Sequence, residues 1–317
     1  MAALNRLAHF VEQFAAELDR IPAPEGTLAA QEQFRGSLRA VSGPLRLKAL
    51  ETWKRAYDEA NKKEILSPAI VEIGDRLAEG SDGRSIVPRA QGARGRFRLA
   101  GLASDGGEAG ASDAMEAVRK KLNQNPRNAA AWVDYGNLLW GQGKPGLAKI
   151  TYDRALALKP GEPAALNNRA VVELGGSGQD EWVTANAAVE LFRKALAQDE
   201  LYLAAKFNLA SLFTYYRVFG TARKLWEQVL VKAPSADAQD GLAAALAGLG
   251  NQGGVESALL RAESAGASKS RFVRVFVDAA REKGSKCVDR LEDADRDRLG
   301  GFERAALESL RAYCGRS

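Results

Sequence analysis

The chain has 317 residues, 46% of them hydrophobic and 27% charged, the composition of a soluble globular protein and not of a disordered or fibrous one. Its formal net charge of +5 comes from arginine spread along the whole length, which reads as solvated surface, so nucleic acid is not the expected partner. No apolar run reaches the roughly 18 residues that span a bilayer, and no segment of any length has a strand's period of two, so the expected fold is all-α.

The first predicted helix carries Leu4, Leu7, Val11, Phe14 and Leu18 on one stripe. Asn5, Arg6, His9, Glu12 and Gln13 interrupt it, so it reads as amphipathic and not as the continuous core of a signal peptide. If the protein is exported, its signal is absent from this sequence. Pro22 and Pro24 end the helix. A second helix is expected over residues 27–39, and Pro44 is expected to open a third, with Leu47, Leu50, Trp53 and Tyr57 on one side. Ser67-Pro68 predicts a further start, serine capping and proline in the first turn, followed by the stripe Ile70, Ile73 and Leu77. Residues 1–80 thus form a helical region, either divergent repeats or a cap.

Residues 81–112 are dense in Gly, Ser, Arg and Ala and offer little apolar surface, which predicts a flexible tether. Within it Arg89, Arg94, Arg96 and Arg98 surround Gly92 and Gly95. Such a run can hold phosphates, but a solvated tether is the expected role, with Phe97 and Leu99 able to tack it to a helix.

Beyond the tether the prolines keep time. Pro126 and Pro160 are 34 residues apart, and Pro234 lies 74 further on. In the clearest copy Trp132, Tyr135, Gly136 and Leu139 share one helix face. A turn follows at Gly141, Gly143, Lys144, Pro145 and Gly146, and then a second helix with Ala148, Tyr152 and Ala155 on one face. Gly136, Ala148 and Ala155 are small enough for two helix backbones to approach closely, with Trp132 and Tyr152 filling the space beside them. Another copy reads Leu209, Ala210, Phe213, Ala222, Trp226 and Pro234. The copy between them has Asn168, Ala170 and Val171, then Ala188, Phe192 and Ala195, with its extra residues in the turn at 175–180. Upstream, Ala114, Val118 and Pro126 look like a lone second helix, and downstream residues 236–249 and 255–264 read as a degraded helical pair.

This pattern resembles the tetratricopeptide repeat, W-x2-L-G-x2-Y…A-x3-F…P, over residues 113–266. The resemblance implies an α-solenoid of stacked helical hairpins whose first helices line a channel for an extended or helical peptide. Carried onto this chain, the channel shows Val133, Asn137 and Trp140, then Asn167 and Val171, then Phe207, Ser211 and Thr214. One subfamily grips a C-terminal carboxylate with a lysine and an asparagine. Here Asn137 fits, but Val133 stands where the lysine belongs, so an apolar, amide-dotted channel for a hydrophobic segment is expected instead. Trp140 and Phe207 are expected to anchor that segment and to contribute little to folding; the alternative for each is packing against a neighbouring repeat.

The last segment, residues 267–317, predicts a helical hairpin turning at Gly300-Gly301. Cys287 stands 13 residues before Gly300 and Cys314 stands 14 after it, so an antiparallel pair brings the two thiols together and a disulfide is expected. That bond would stabilise by about 3 to 4 kcal/mol and would imply an oxidising compartment, in a bacterium the periplasm. Two unrelated thiols in the cytoplasm are the alternative.

No catalytic constellation emerges. The single histidine, His9, has no cysteine or paired carboxylate nearby in sequence, and the stretch Gly175-Gly176-Ser177-Gly178 lacks the lysine of a phosphate loop. Glu292, Asp293, Asp295 and Asp297 alternate with Arg290, Arg296 and Arg298, the pattern of a salt-bridged helix face. The expectation is a non-catalytic scaffold or adaptor without cofactor or metal. It would bind proteins or peptides of a bacterial cell-envelope assembly for secretion, motility or outer-membrane biogenesis. The alternative is a cytoplasmic regulatory or RNA-associated adaptor that uses the arginine-rich tether.

Overall fold

The computed structural model describes residues 2–80, 108–175, 181–249 and 251–264. These form twelve helices, and no strand occurs among the described residues. The chain divides into two compact units, Met1–Ile86 and Val87–Ser317.

The first unit holds α1 (Ala2–Arg20), α2 (Leu28–Lys62) and α3 (Pro68–Gly80). Its core is built from Ala8, Ala49, Trp53, Ala56, Ala60, Ile70 and Ile73. Alanines on α1 and α2 bring the two backbones together, and Trp53 fills what they leave. The Trp53 indole donates to Asn5 Oδ1 at 3.0 Å, and the Arg76 guanidinium lies 5.1 Å from its ring centroid. The break expected at Pro44 does not occur, because α2 runs unbroken through 35 residues with the proline inside it. Asp19 of α1 explains the continuity. Its carboxylate accepts from Ser42 Oγ at 2.6 Å and pairs with Arg46 at 2.5 Å, so both sides of Pro44 are tied to the same neighbouring residue. The hydrogen bond from Ser42, followed by Arg46, holds the Asp19 carboxyl below its ordinary pKa. Proline marks a change of role all the same. Every buried residue of α2 lies at or beyond Ser42, and residues 28–41 have none. Thr27 caps α2 by accepting from the Ala30 amide. The expected serine cap of α3 is made by backbone only. The Ser67 carbonyl accepts from the amides of Ile70 and Val71, while its Oγ has no partner among the described residues.

In the second unit α4 (Glu108–Gln124) precedes four hairpins. These are α5 (Ala129–Gly141) with α6 (Pro145–Leu158), α7 (Pro163–Gly175) with α8 (Glu181–Gln198), α9 (Leu203–Tyr215) with α10 (Phe219–Lys232), and α11 (Ala236–Gly248) with α12 (Gln252–Ser264). Each hairpin packs on the next, which is an α-solenoid of tetratricopeptide type. The close approach foreseen at Gly136 is real. A Cβ there would stand 2.4 Å from the Tyr152 ring and 2.6 Å from Thr151 Oγ1. Gly241 faces Trp226 in the same way. Asn128 caps α5 through the Ala131 amide, and Pro145 sits in the first turn of α6. The extra residues of the long copy fall between the end of α7 and the start of α8. Residues 108–112, expected in the tether, belong to α4. The rest of the tether with its arginines lies outside the described residues, as do Cys287, Cys314 and their expected bond.

Candidate partner-binding face

The first helices of the hairpins are the inner ones. Neither α7 nor α9 has a single exposed residue, whereas the second helices show Leu147 and Ile150 on α6, Val183 on α8 and Val231 on α10 to solvent. The reason is geometric: a first helix packs on its own partner and also on the hairpins before and after it.

A line of amides ties the inner row together. Asn137 Oδ1 on α5 accepts from the Tyr152 hydroxyl and from Asn168 Nδ2 on α7, both at 2.7 Å. Asn167 Nδ2 donates to Asn168 Oδ1 at 2.9 Å, and Asn208 Nδ2 on α9 donates to Asn167 Oδ1 at 2.9 Å. All four asparagines are buried. An amide offers both donors and an acceptor, so a chain of them satisfies itself inside a repeat stack where a hydroxyl or a carboxylate would not. Burial pushes the pKa of the Tyr152 hydroxyl well above its ordinary value, and it serves here as a neutral donor.

At the joint between α6 and α7 lies a charged cluster. Arg169 bonds Asp153 at 2.7 Å and also pairs with Glu173, which Lys149 approaches to 3.6 Å. Burial alone would raise the Glu173 pKa, but the Arg169 hydrogen bond and the two cationic charges bring it below the ordinary value.

The structure places the eight channel residues unequally. Val133, Asn137, Asn167, Val171 and Phe207 are buried; Trp140, Ser211 and Thr214 are partly exposed. Asn137, Asn167 and Phe207, placed on the channel by sequence, are thus packed among neighbouring helices and do not present open surface. For the asparagines the reason is the amide line. For Phe207 it is Trp226, whose ring meets it edge-on with centroids 4.9 Å apart. Trp140 reaches toward the next hairpin, where a Cβ at Gly175 would touch its ring at 2.9 Å. Both hydroxyls turn back on α9: Ser211 Oγ donates to the Phe207 carbonyl, and Thr214 Oγ1 donates to the Ala210 carbonyl while accepting from the Trp226 indole. Sequence reasoning missed Asn208 and Arg169. The doublet Asn167-Asn168 was the available signal, since two adjacent amides on a core helix point to neighbours on two sides.

No protein-family model matches the chain. A stretch of 153 residues, 48% of the chain, is 29% identical to cellulose synthase operon protein C of Pseudomonas fluorescens SBW25, of whose length it spans a tenth. Solved structures similar to the chain include three. YrrB, a TPR protein, is 19% identical with a TM-score of 0.47 and aligns over 62% of this chain and 100% of its own. A tetratricopeptide repeat protein of Parabacteroides merdae is 14% identical with a TM-score of 0.45, over 89% and 98%. Yeast Tom70 is 16% identical with a TM-score of 0.44, over 92% and 61%.

Proposed function

We propose that the chain is a non-catalytic interaction scaffold that holds a segment of a partner protein against the inner face of its hairpin array. The observation that carries this reading is the hydrogen-bonded inner row itself. Side chains of α5, α7 and α9 are locked to one another through Asn137, Asn168, Asn167 and Asn208, so a ligand meets a surface that has already lost its conformational freedom. Trp140, partly exposed on that row, is the accessible aromatic anchor; Ser211 and Thr214 frame the far end, and Val133, Val171 and Phe207 form the packed layer beneath. The partner is a protein of a multiprotein assembly. The likeness to a protein of a cellulose synthase operon supports the cell-envelope side of this reading.

A photo-crosslinking amino acid tests it. Placed at position 140 it should label a partner polypeptide in the native extract, while the same group at Ile150, on the outer face of α6, should label none. Labelling from position 150 alone would refute the inner face as the binding surface.

A further inference from the structure

Helix α1 carries two seams. The inner one runs through Asn5, Ala8, Glu12, Ala15 and Asp19, at alternating steps of three and four. It is fully engaged. Ala8 and Ala15 are sealed, Asn5 bonds Trp53 and Glu72, Glu12 pairs with Arg76, and Asp19 with Ser42 and Arg46. About 200° around the helix from each inner position, at 100° per residue, lies a second seam with the same steps, Leu7, Phe10 and Phe14, closed by Glu17, with Ile21 just past the end of the helix. Leu7, Phe10, Phe14, Ile21 and the neighbouring Leu4 are 40–68% exposed. Among the described residues, five of the fifteen exposed large hydrophobic ones therefore lie within 18 positions, while the helix turns its alanines inward. Scattered exposed leucines need no explanation, but Leu7, Phe10 and Phe14, exposed in sequence along one face of one helix, do.

Steps of three and four are the spacing that a second helix meets with knobs in holes. The rim of the stripe indicates which helix. Arg6 and Glu17 lie on the same flank, one near each end; Arg6 makes no ion pair among the described residues, and Glu17 makes an exposed one with Arg20. If two copies of α1 pair antiparallel about a two-fold axis near Glu12, Phe10 of each copy meets Phe14 of the other. Arg6 then falls within a residue of the facing Glu17, at both ends. A parallel pair would put both Arg6 residues at one end and both Glu17 residues at the other, with no opposite charge at the same height. A rim with both signs of charge also differs from the cationic border that an anionic lipid surface selects. We propose that the chain forms a two-fold dimer through antiparallel pairing of α1 along Leu7, Phe10 and Phe14. A two-fold contact of this kind closes on itself and leaves the rest of each chain free.

The full chain tests the idea by sedimentation velocity over a wide concentration range. The expected species has twice the 34.0 kDa of the chain. Phe10→Asp combined with Phe14→Asp should convert it to monomer with unchanged far-UV circular dichroism, since the two rings are 68% and 50% exposed and neither belongs to the buried core of the unit. Arg6→Glu alone and Glu17→Arg alone should each weaken the dimer, by up to about fivefold per ion pair lost, and the two together should restore it. A monomer at every concentration would overturn the proposal, as would a dimer that survives both aspartates. A wild-type monomer that binds vesicles of mixed neutral and anionic lipid would assign the stripe to a membrane surface instead. A photo-crosslink from position 10 to another part of its own chain, seen in mixtures of light and heavy protein, would assign it to an internal contact.

Discussion

Phe207→Ala separates a core side chain from a ligand anchor. Phe207 is 5% exposed and lies edge-on to Trp226, itself 2% exposed, so truncation leaves a cavity bounded by a second buried aromatic. The Trp226 indole is pinned by its hydrogen bond to Thr214 Oγ1 at 3.0 Å, which limits how far it can move to fill the hole. Poorly collapsing sites of this kind lose about 3–5 kcal/mol on Phe→Ala. In a unit of this size each kcal/mol corresponds to about 2–4 °C in the melting temperature, so the variant should melt about 6–20 °C below wild type. Urea unfolding followed by tryptophan fluorescence reads the loss directly, with Trp140→Ala, a partly exposed position, as the comparison. A Phe207→Ala variant within about 1 kcal/mol of wild type would refute the packing argument and return Phe207 to the surface that binds a partner.

Two further outcomes follow from contacts already described. Gly136→Ala should destabilise by about 1–3 kcal/mol despite alanine's better helix propensity, because its methyl collides with the buried Tyr152 ring. Gly36→Ala, in the exposed half of α2 with nothing within 4 Å, should stabilise by up to about 1 kcal/mol; thermal melts of the pair should therefore shift in opposite directions. Glu173 has a folded pKa below its usual 4.5, so its contribution is complete above that value and is lost as the pH falls through the lowered one. The difference in urea midpoint between wild type and Glu173→Gln should accordingly be largest at neutral pH and vanish on acidification below about 4.5; a pH-independent difference would mean the cluster contributes packing only.

The hairpins were legible because their register is steric. Gly136 has one role that a larger side chain cannot share, and Tyr152 sixteen residues on is the group that requires it. The same holds for the turn that absorbs the extra residues of the long copy, since an insertion inside α7 or α8 would break the stack. What escaped was decided by contacts distant in sequence. Pro44 reads as a helix start until Asp19, on another helix, is seen to hold Ser42 and Arg46 on either side of it. Ser67 has the residue type of a side-chain cap, but its hydroxyl is buried without a partner among the described residues and the carbonyl supplies the cap.

The channel residues show the limit most clearly. Helical periodicity assigns a side chain to one packed face and leaves the opposite face open, which is sound for a helix lying on a single neighbour. A first helix in a solenoid has neighbours on three sides, so Asn137 bonds Tyr152 of its own hairpin and also Asn168 of the next, and Asn167 meets Asn208 of the hairpin that follows. Their chemistry then has a structural consequence. Alanines such as Ala148 and Ala170 tolerate small sliding of one hairpin along another, since apolar contact is not directional. A chain of amides running from α5 through α7 to α9 is directional. Each step satisfies its donor and acceptor at one relative height of the two helices, and a slip of one residue would leave buried amides unpaired at a cost of about 1–3 kcal/mol each. The amide line thus sets the register of successive hairpins while the small residues set their separation, and the inner face that results is rigid before any partner arrives.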